Sequence, residues 1–184
     1  MPILHKYFYK KRACGIDIVS PSKREISKIR EALEFIEKNQ PPAFRKTRKF
    51  KAILVYPKRG YENNIFSEER IWICKPQTVR ESSVPYLASL LIHEAQHLLQ
   101  HDRGMRDSGA RAEGEAYKVQ RDFLLSFGNE REISWLDSLY KNKWWVRKTS
   151  DGKATLFTRS YRPFKKLVDS YLSKKLEIIP LRDR

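Results

Sequence analysis

The order of patterns along this chain predicts an α+β fold, in which an amphipathic helix and a group of short strands precede further helices. Three observations carry that expectation. Ile26, Ile29, Leu33 and Ile36 recur at intervals of three and four, which is the spacing of one helix face. Phe50 to Tyr56 and Arg70 to Cys74 are short runs rich in β-branched and aromatic residues, bounded by Pro57 and Pro76. From Val84 to His101, and again after Gly109, the apolar positions return to helical spacing, so the strands cluster between helices.

Residues 1–20 are mixed, with one short strand expected at Gly15 to Val19. Ser22 can cap the first helix, and Glu25 follows three residues later in the pattern of a capping box. Pro41-Pro42 ends that helix near Lys38, and the segment from Phe44 to Lys51 reads as a basic approach to a strand. Ala52-Ile53-Leu54-Val55-Tyr56 is almost wholly apolar, as a central strand would be. The turn-rich Pro57 to Asn64 leads to the strand at Arg70 to Cys74, expected at an edge where an extended peptide could pair with it.

Ser83, followed by Val84-Pro85, is a favourable start for the next helix, which runs through Gln100 and His101 until Gly104 breaks it. Asp107-Ser108-Gly109 opens another helix, with Ala112, Ala116, Val119, Phe123 and Phe127 as its core stripe. Beyond it, Glu130 to Lys141 is helical, with Ile133, Leu136 and Leu139 apolar and Trp135 alongside. Asp151-Gly152 supports a hairpin between Trp144-Trp145-Val146-Arg147 and Thr155-Leu156-Phe157-Thr158. A last helix from Pro163 carries Phe164, Leu167, Tyr171 and Leu172.

The 184 residues fit one domain at residues 1–128, with a basic C-terminal extension at 129–184 packed on the same domain. At 40% hydrophobic, the chain can bury a sizeable core. No apolar run approaches the roughly 20 residues of a membrane span, and the first twelve residues lack the continuous apolar centre of a signal peptide. Two cysteines, Cys14 and Cys74, are too few for a disulfide scaffold, so a cytoplasmic, reduced protein is expected.

The net charge of +16 is unevenly spread. Residues 41–60 hold seven basic and no acidic side chains, and residues 141–184 hold thirteen basic and four acidic, whereas residues 61–140 are mildly acidic. Such flanks suit nucleic acid, an anionic membrane surface or an acidic substrate, yet no recognised nucleic-acid fold signature accompanies them. Trp144 and Trp145 among basic residues would suit a nucleic-acid platform, or would pack the extension onto the core.

The chemistry lies in His93-Glu94-Ala95-Gln96-His97. Two histidines four residues apart project from one helix face about 6 Å apart along the axis, the bite with which two imidazoles hold one Zn²⁺. Glu94 follows the first ligand and points beside the metal, where it serves as a base. In so apolar a segment a carboxylate is costly without a task or a partner. His101 shares the face but lies roughly 12 Å from His93 along the axis, too far to join the same ion. Glu113 and Glu115 flank the following stripe at about 80° on opposite sides, so periodicity leaves both open as the third ligand.

His93-Glu94-x-x-His97 with a glutamate on the next helix resembles the gluzincin branch of the zincin metallopeptidases, over roughly residues 45–128. The resemblance implies a minimal zincin-like domain: backing helix, small mixed sheet, HExxH helix and glutamate helix, here with a C-terminal hairpin-helix appendage. In several gluzincin families the ligand glutamate stands three residues before an alanine. Glu113-Gly114-Glu115-Ala116 matches with Glu113 as the ligand, while Glu115 stays the alternative because Tyr117 occupies the place of an expected supporting aspartate. Metzincins differ at Gln100 and Arg103, and peptide deformylases differ around Cys74, which reads as a core strand residue.

The function expected on these grounds is that of a zinc metalloendopeptidase with one zinc ion, in which Glu94 is general base for a metal-activated water acting on a protein or peptide substrate. Tyr117, Tyr140 and Tyr161 are available to assist the oxyanion. The alternative is a basic nucleic-acid-binding or regulatory protein with a structural or vestigial zinc site.

Overall fold

The structure, a computed structural model, describes residues 8–57, 63–105, 109–142, 168–173 and 178–181. β1 (Phe8–Ala13) and β2 (Ile16–Ser20) are joined by Cys14 and Gly15 alone, with φ of +53° and +83°. Two left-handed residues match the twist of the flanking strands, and glycine adopts that conformation without strain. β2 is the strand expected at Gly15 to Val19, and β1 adds its antiparallel partner.

β3 (Ala52–Val55), β4 (Asn64–Phe66), β5 (Ile71–Cys74) and β6 (Ile178–Pro180) complete a mixed sheet in the order β4-β5-β3-β2-β1-β6. β3 runs parallel to both β2 and β5 and is central, as its apolar run predicts. Ile16, Ile18, Ile53, Val55, Trp72 and Cys74 face one side and Val19, Ala52, Leu54, Ile71 and Ile73 the other, and both sets belong to buried clusters. Alternating side chains on a sheet covered on both faces leave β3 and β5 with no polar positions.

β5 is not an edge strand. β4 pairs with it antiparallel, Ile65 opposite Trp72, and takes the edge. A three-residue strand beginning at Asn64 is too short to show alternation beside the turn residues that precede it.

The first face is covered by α1 (Lys23–Asn39), α2 (Pro41–Thr47) and α4 (Val84–Asp102), with α3 (Pro76–Glu81) beside α1. Ile26, Ile29, Leu33 and Ile36 are the buried stripe of α1, as expected. Pro41-Pro42 ends α1 and at once begins α2, because proline suits the first helical positions; the first half of the expected basic approach to a strand, Phe44 to Thr47, is therefore helical. Ser22 makes no side-chain cap. Glu25 turns into the core instead, where Ser20 Oγ donates to Oε2 and Arg80 Nε donates to Oε1 at 2.7 Å. A carboxylate buried that deeply needs such partners.

α5 (Ala110–Phe127) packs along α4, and α6 (Glu130–Asn142) packs on α5, tied to it by Arg121 Nη2 donating to Asp137 Oδ2 at 2.8 Å. The expected hairpin at 144–158 and residues 163–167 of the last helix lie outside the described residues. Residues 168–172 are helical, and Val168 and Tyr171 pack on the second face of the sheet. β6 lies parallel to β1. The described parts of 129–184 thus include a strand of the same sheet, a pairing no local pattern announces. Among the described residues no helix is long and apolar enough to cross a membrane.

Candidate metal centre

α4 starts as its sequence dictates. Ser83 Oγ accepts from the Tyr86 N–H at 3.1 Å, and Pro85 stands in the first turn. It ends where Gly104, at φ +68°, donates from its N–H to His101 O while Met105 N–H donates to Gln100 O, a Schellman closure. Between these ends Leu87, Ala88, Leu91, Ile92, Ala95 and Leu98 fill the core, which leaves His93 and His97 turned towards α5.

Three donor atoms converge there. His97 Nε2 lies 3.2 Å from His93 Nε2, and Glu113 Oε2 lies 3.6 Å from His93 Nε2 and 3.8 Å from His97 Nε2. A point equidistant from the corners of that triangle is about 2.1 Å from each, the length of a Zn–N or Zn–O bond. The two imidazoles are buried and the carboxylate is partly buried. Two nitrogens and one carboxylate oxygen are a donor set that borderline ions such as zinc favour, so the group fits a divalent metal.

Glu113, not Glu115, completes the group. Glu115 faces Gln100 and Arg111 on the other side of the stripe. His101 is exposed beyond the group.

The electrostatics follow from the burial. Burial pushes Glu94 up to about 7; the His93 imidazole and the Trp72 indole act against that rise, and the Glu113 carboxylate acts with it. The Trp72 N–H approaches Glu94 closely enough to exert this effect without a closed hydrogen bond. Burial also acts to raise Glu113, but the two imidazoles outweigh it and hold Glu113 below the ordinary glutamate value. The two carboxyls are thus shifted in opposite directions, Glu94 towards holding a proton and Glu113 towards ionisation.

The histidines are held differently. His97 Nδ1 lies 2.9 Å from Gln100 Oε1. His93 Nδ1 is buried with no hydrogen-bond partner among the described residues, and its ring stands edge-on to Tyr117 at 4.8 Å. Tyr117 takes the place of the expected aspartate and supplies packing where a carboxylate would supply an acceptor. Tyr140 follows at 6.2 Å from Tyr117, and Tyr161 lies outside the described residues.

Sequence reasoning missed Gln100 and Trp72. Gln100 stands three residues after His97, a spacing at which helical side chains meet, and that was its signal. Trp72 had none, because it reaches Glu94 from β5 across the sheet–helix interface. Cys74 is a buried strand residue, as expected, and burial raises its thiol well above the ordinary range. No protein-family model matches the chain, and no curated protein or solved structure is significantly similar to it.

Proposed function

We propose that this chain is a zinc-dependent metallopeptidase of the gluzincin type, hydrolysing peptide bonds with Glu94 as general base. The single observation that carries the reading is the convergence of His93, His97 and Glu113 within metal-binding distance of one another, beside a carboxyl of raised pKa. The chain order of α1, the mixed sheet, α4 and α5 supports a minimal zincin-like architecture, with two ligands on one helix and the third on the next.

A zinc ion held by these three residues would supply Lewis acidity and lower the pKa of water. Glu94 is suited to the proton traffic: buried directly after the first donor histidine, its carboxylate is placed to accept a proton from the attacking water and return it to the leaving amine. As the water oxygen bonds to the carbonyl carbon and the C–N bond breaks, one proton passes through Glu94, so nothing is consumed besides water. Ionised Glu113 would offset the charge of a bound ion, and the apolar flanks of α4 keep bulk water from Glu94.

The test is proteolysis of an unstructured protein substrate by the zinc-loaded chain, read by mass spectrometry. Cleavage by wild type, lost in Glu94→Gln with zinc still bound, is the expected result. Full zinc occupancy without cleavage across a diverse peptide library would overturn the peptidase reading.

A further inference from the structure

Gln100 is wholly buried on α4 and makes three contacts whose polarity can be read from its partners. Its Nε2 lies 3.0 Å from Ala112 O and 3.1 Å from Glu115 Oε2. A backbone carbonyl and a carboxylate only accept, so the group facing both is the NH₂, and the oxygen faces His97. Gln100 Oε1 can only accept, so His97 must donate from Nδ1 at 2.9 Å. In the neutral ring the lone pair of His97 is then on Nε2, the atom that faces His93 and Glu113.

We propose that Gln100 is a positioning residue that locks His97 in its Nδ1–H tautomer and ties that lock to the docking of α5. Ala112, whose carbonyl anchors the amide, immediately precedes Glu113 on α5. One side chain therefore orients a donor on α4 and holds the backbone that presents the donor on α5. Glu115, a ligand candidate by sequence, acts here as a brace: it accepts from Gln100 and pairs with Arg111 at 3.3 Å. A histidine ligand whose other nitrogen is hydrogen-bonded is fixed in tautomer and ring orientation.

The consequence for metal affinity rests on the zinc reading above; the tautomer does not. The experiment is long-range ¹H–¹⁵N correlation of the histidine imidazoles in chelator-treated protein at pH 8. It is tractable because the chain has four histidines. Zinc dissociation constants are measured in parallel by chelator competition. Wild type is expected to show His97 protonated at Nδ1, and Gln100→Leu to lose that preference and bind zinc about 10–100-fold more weakly.

Gln120→Leu is the control, because Gln120 Nε2 also joins α5 to α4, through Ser89 Oγ at 3.3 Å, without touching His97. It should leave both the tautomer and the affinity unchanged. Should Gln100→Leu not fold, Gln100→Glu keeps an acceptor for His97 but loses the donor to Ala112 O; it should retain the tautomer with weakened zinc binding.

His97 protonated at Nε2 in wild type would overturn the proposal, as would equal losses of zinc affinity in Gln100→Leu and Gln120→Leu. The Nδ1–H tautomer in a wild type that binds no zinc would uphold the lock and overturn the metal reading instead.

Discussion

Glu113 on α5 brings Oε2 to 3.6 Å from Nε2 of His93 on α4, joining at one point two helices that sequence periodicity could not orient against each other. If these atoms share a metal, then His97→Ala and Glu113→Ala each remove one of three protein donors and should abolish stoichiometric zinc. Glu115→Ala should retain about one zinc per chain, with affinity lowered by less than Glu113→Ala lowers it. Elemental analysis of protein purified without a polyhistidine tag decides the matter, and equal retention in the two glutamate variants would remove Glu113 from the site.

If the proposed peptidase mechanism holds, Glu94→Gln in the zinc-loaded protein keeps the three donors and removes the base. Peptide cleavage should fall by about 10²–10⁴-fold at unchanged zinc content. Residual cleavage within tenfold of wild type would assign the proton transfer elsewhere.

The same residue sets a pH dependence of stability in the metal-free protein. Burial raises Glu94 from 4.5 to about 7 in the folded state, so between those values the folded chain holds a proton that the unfolded chain has lost. Stability therefore falls as pH rises from about 4.5 to about 7 and is level above, by roughly 3 kcal/mol. Chelator-treated Glu94→Gln escapes this penalty and should be more stable than wild type at pH 8, with the two converging near pH 4. Denaturant melts at both values test it, and a less stable variant at pH 8 would contradict it.

On the second face of the sheet, Tyr171 donates to Asp17 Oδ2 at 2.6 Å, and Lys10 Nζ lies 2.6 Å from the same oxygen. Burial acts to raise Asp17, but the hydrogen bonds from Lys10 and Tyr171 outweigh it and leave the carboxyl below its ordinary value. The stability this contributes is present above the ordinary aspartate range and is lost as pH falls through it. Tyr171→Phe should cost about 1 kcal/mol at pH 7 and less at pH 3, measured by thermal melts.

Two glycines should respond to alanine with opposite signs. Gly104 sits at φ +68°, where an L side chain costs about 1–2 kcal/mol, so Gly104→Ala should lower the melting temperature. Gly114 lies inside α5, and a Cβ there would meet nothing within 4 Å, so Gly114→Ala should stabilise by about 0.5–1 kcal/mol. Melts of the two variants against wild type check both signs.

What could be read in advance was local. Ser83 capping α4, the α1 stripe from Ile26 to Ile36, the central apolar run at Ala52–Val55 and the facing pair His93 and His97 all follow from spacings of a few residues along one chain segment. The turn of Pro41-Pro42 into α2 was misread because proline both ends and begins helices, and Glu25 because a capping box and a buried ion pair use the same residue.

That two imidazoles and Glu94 share one helical turn is legible from spacing, because the helix repeat admits no other arrangement of His-Glu-x-x-His. Long-range packing places Glu113 with them while Glu115 braces Gln100, brings Trp72 close to Glu94, and adds β6 to the sheet beside β1. Two residues flanking one helical stripe are equivalent until the helix is rotated onto its neighbour. That rotation is set by Ala112, Ala116 and Phe123 packing into the core and by the amide of Gln100 finding the carbonyl of Ala112.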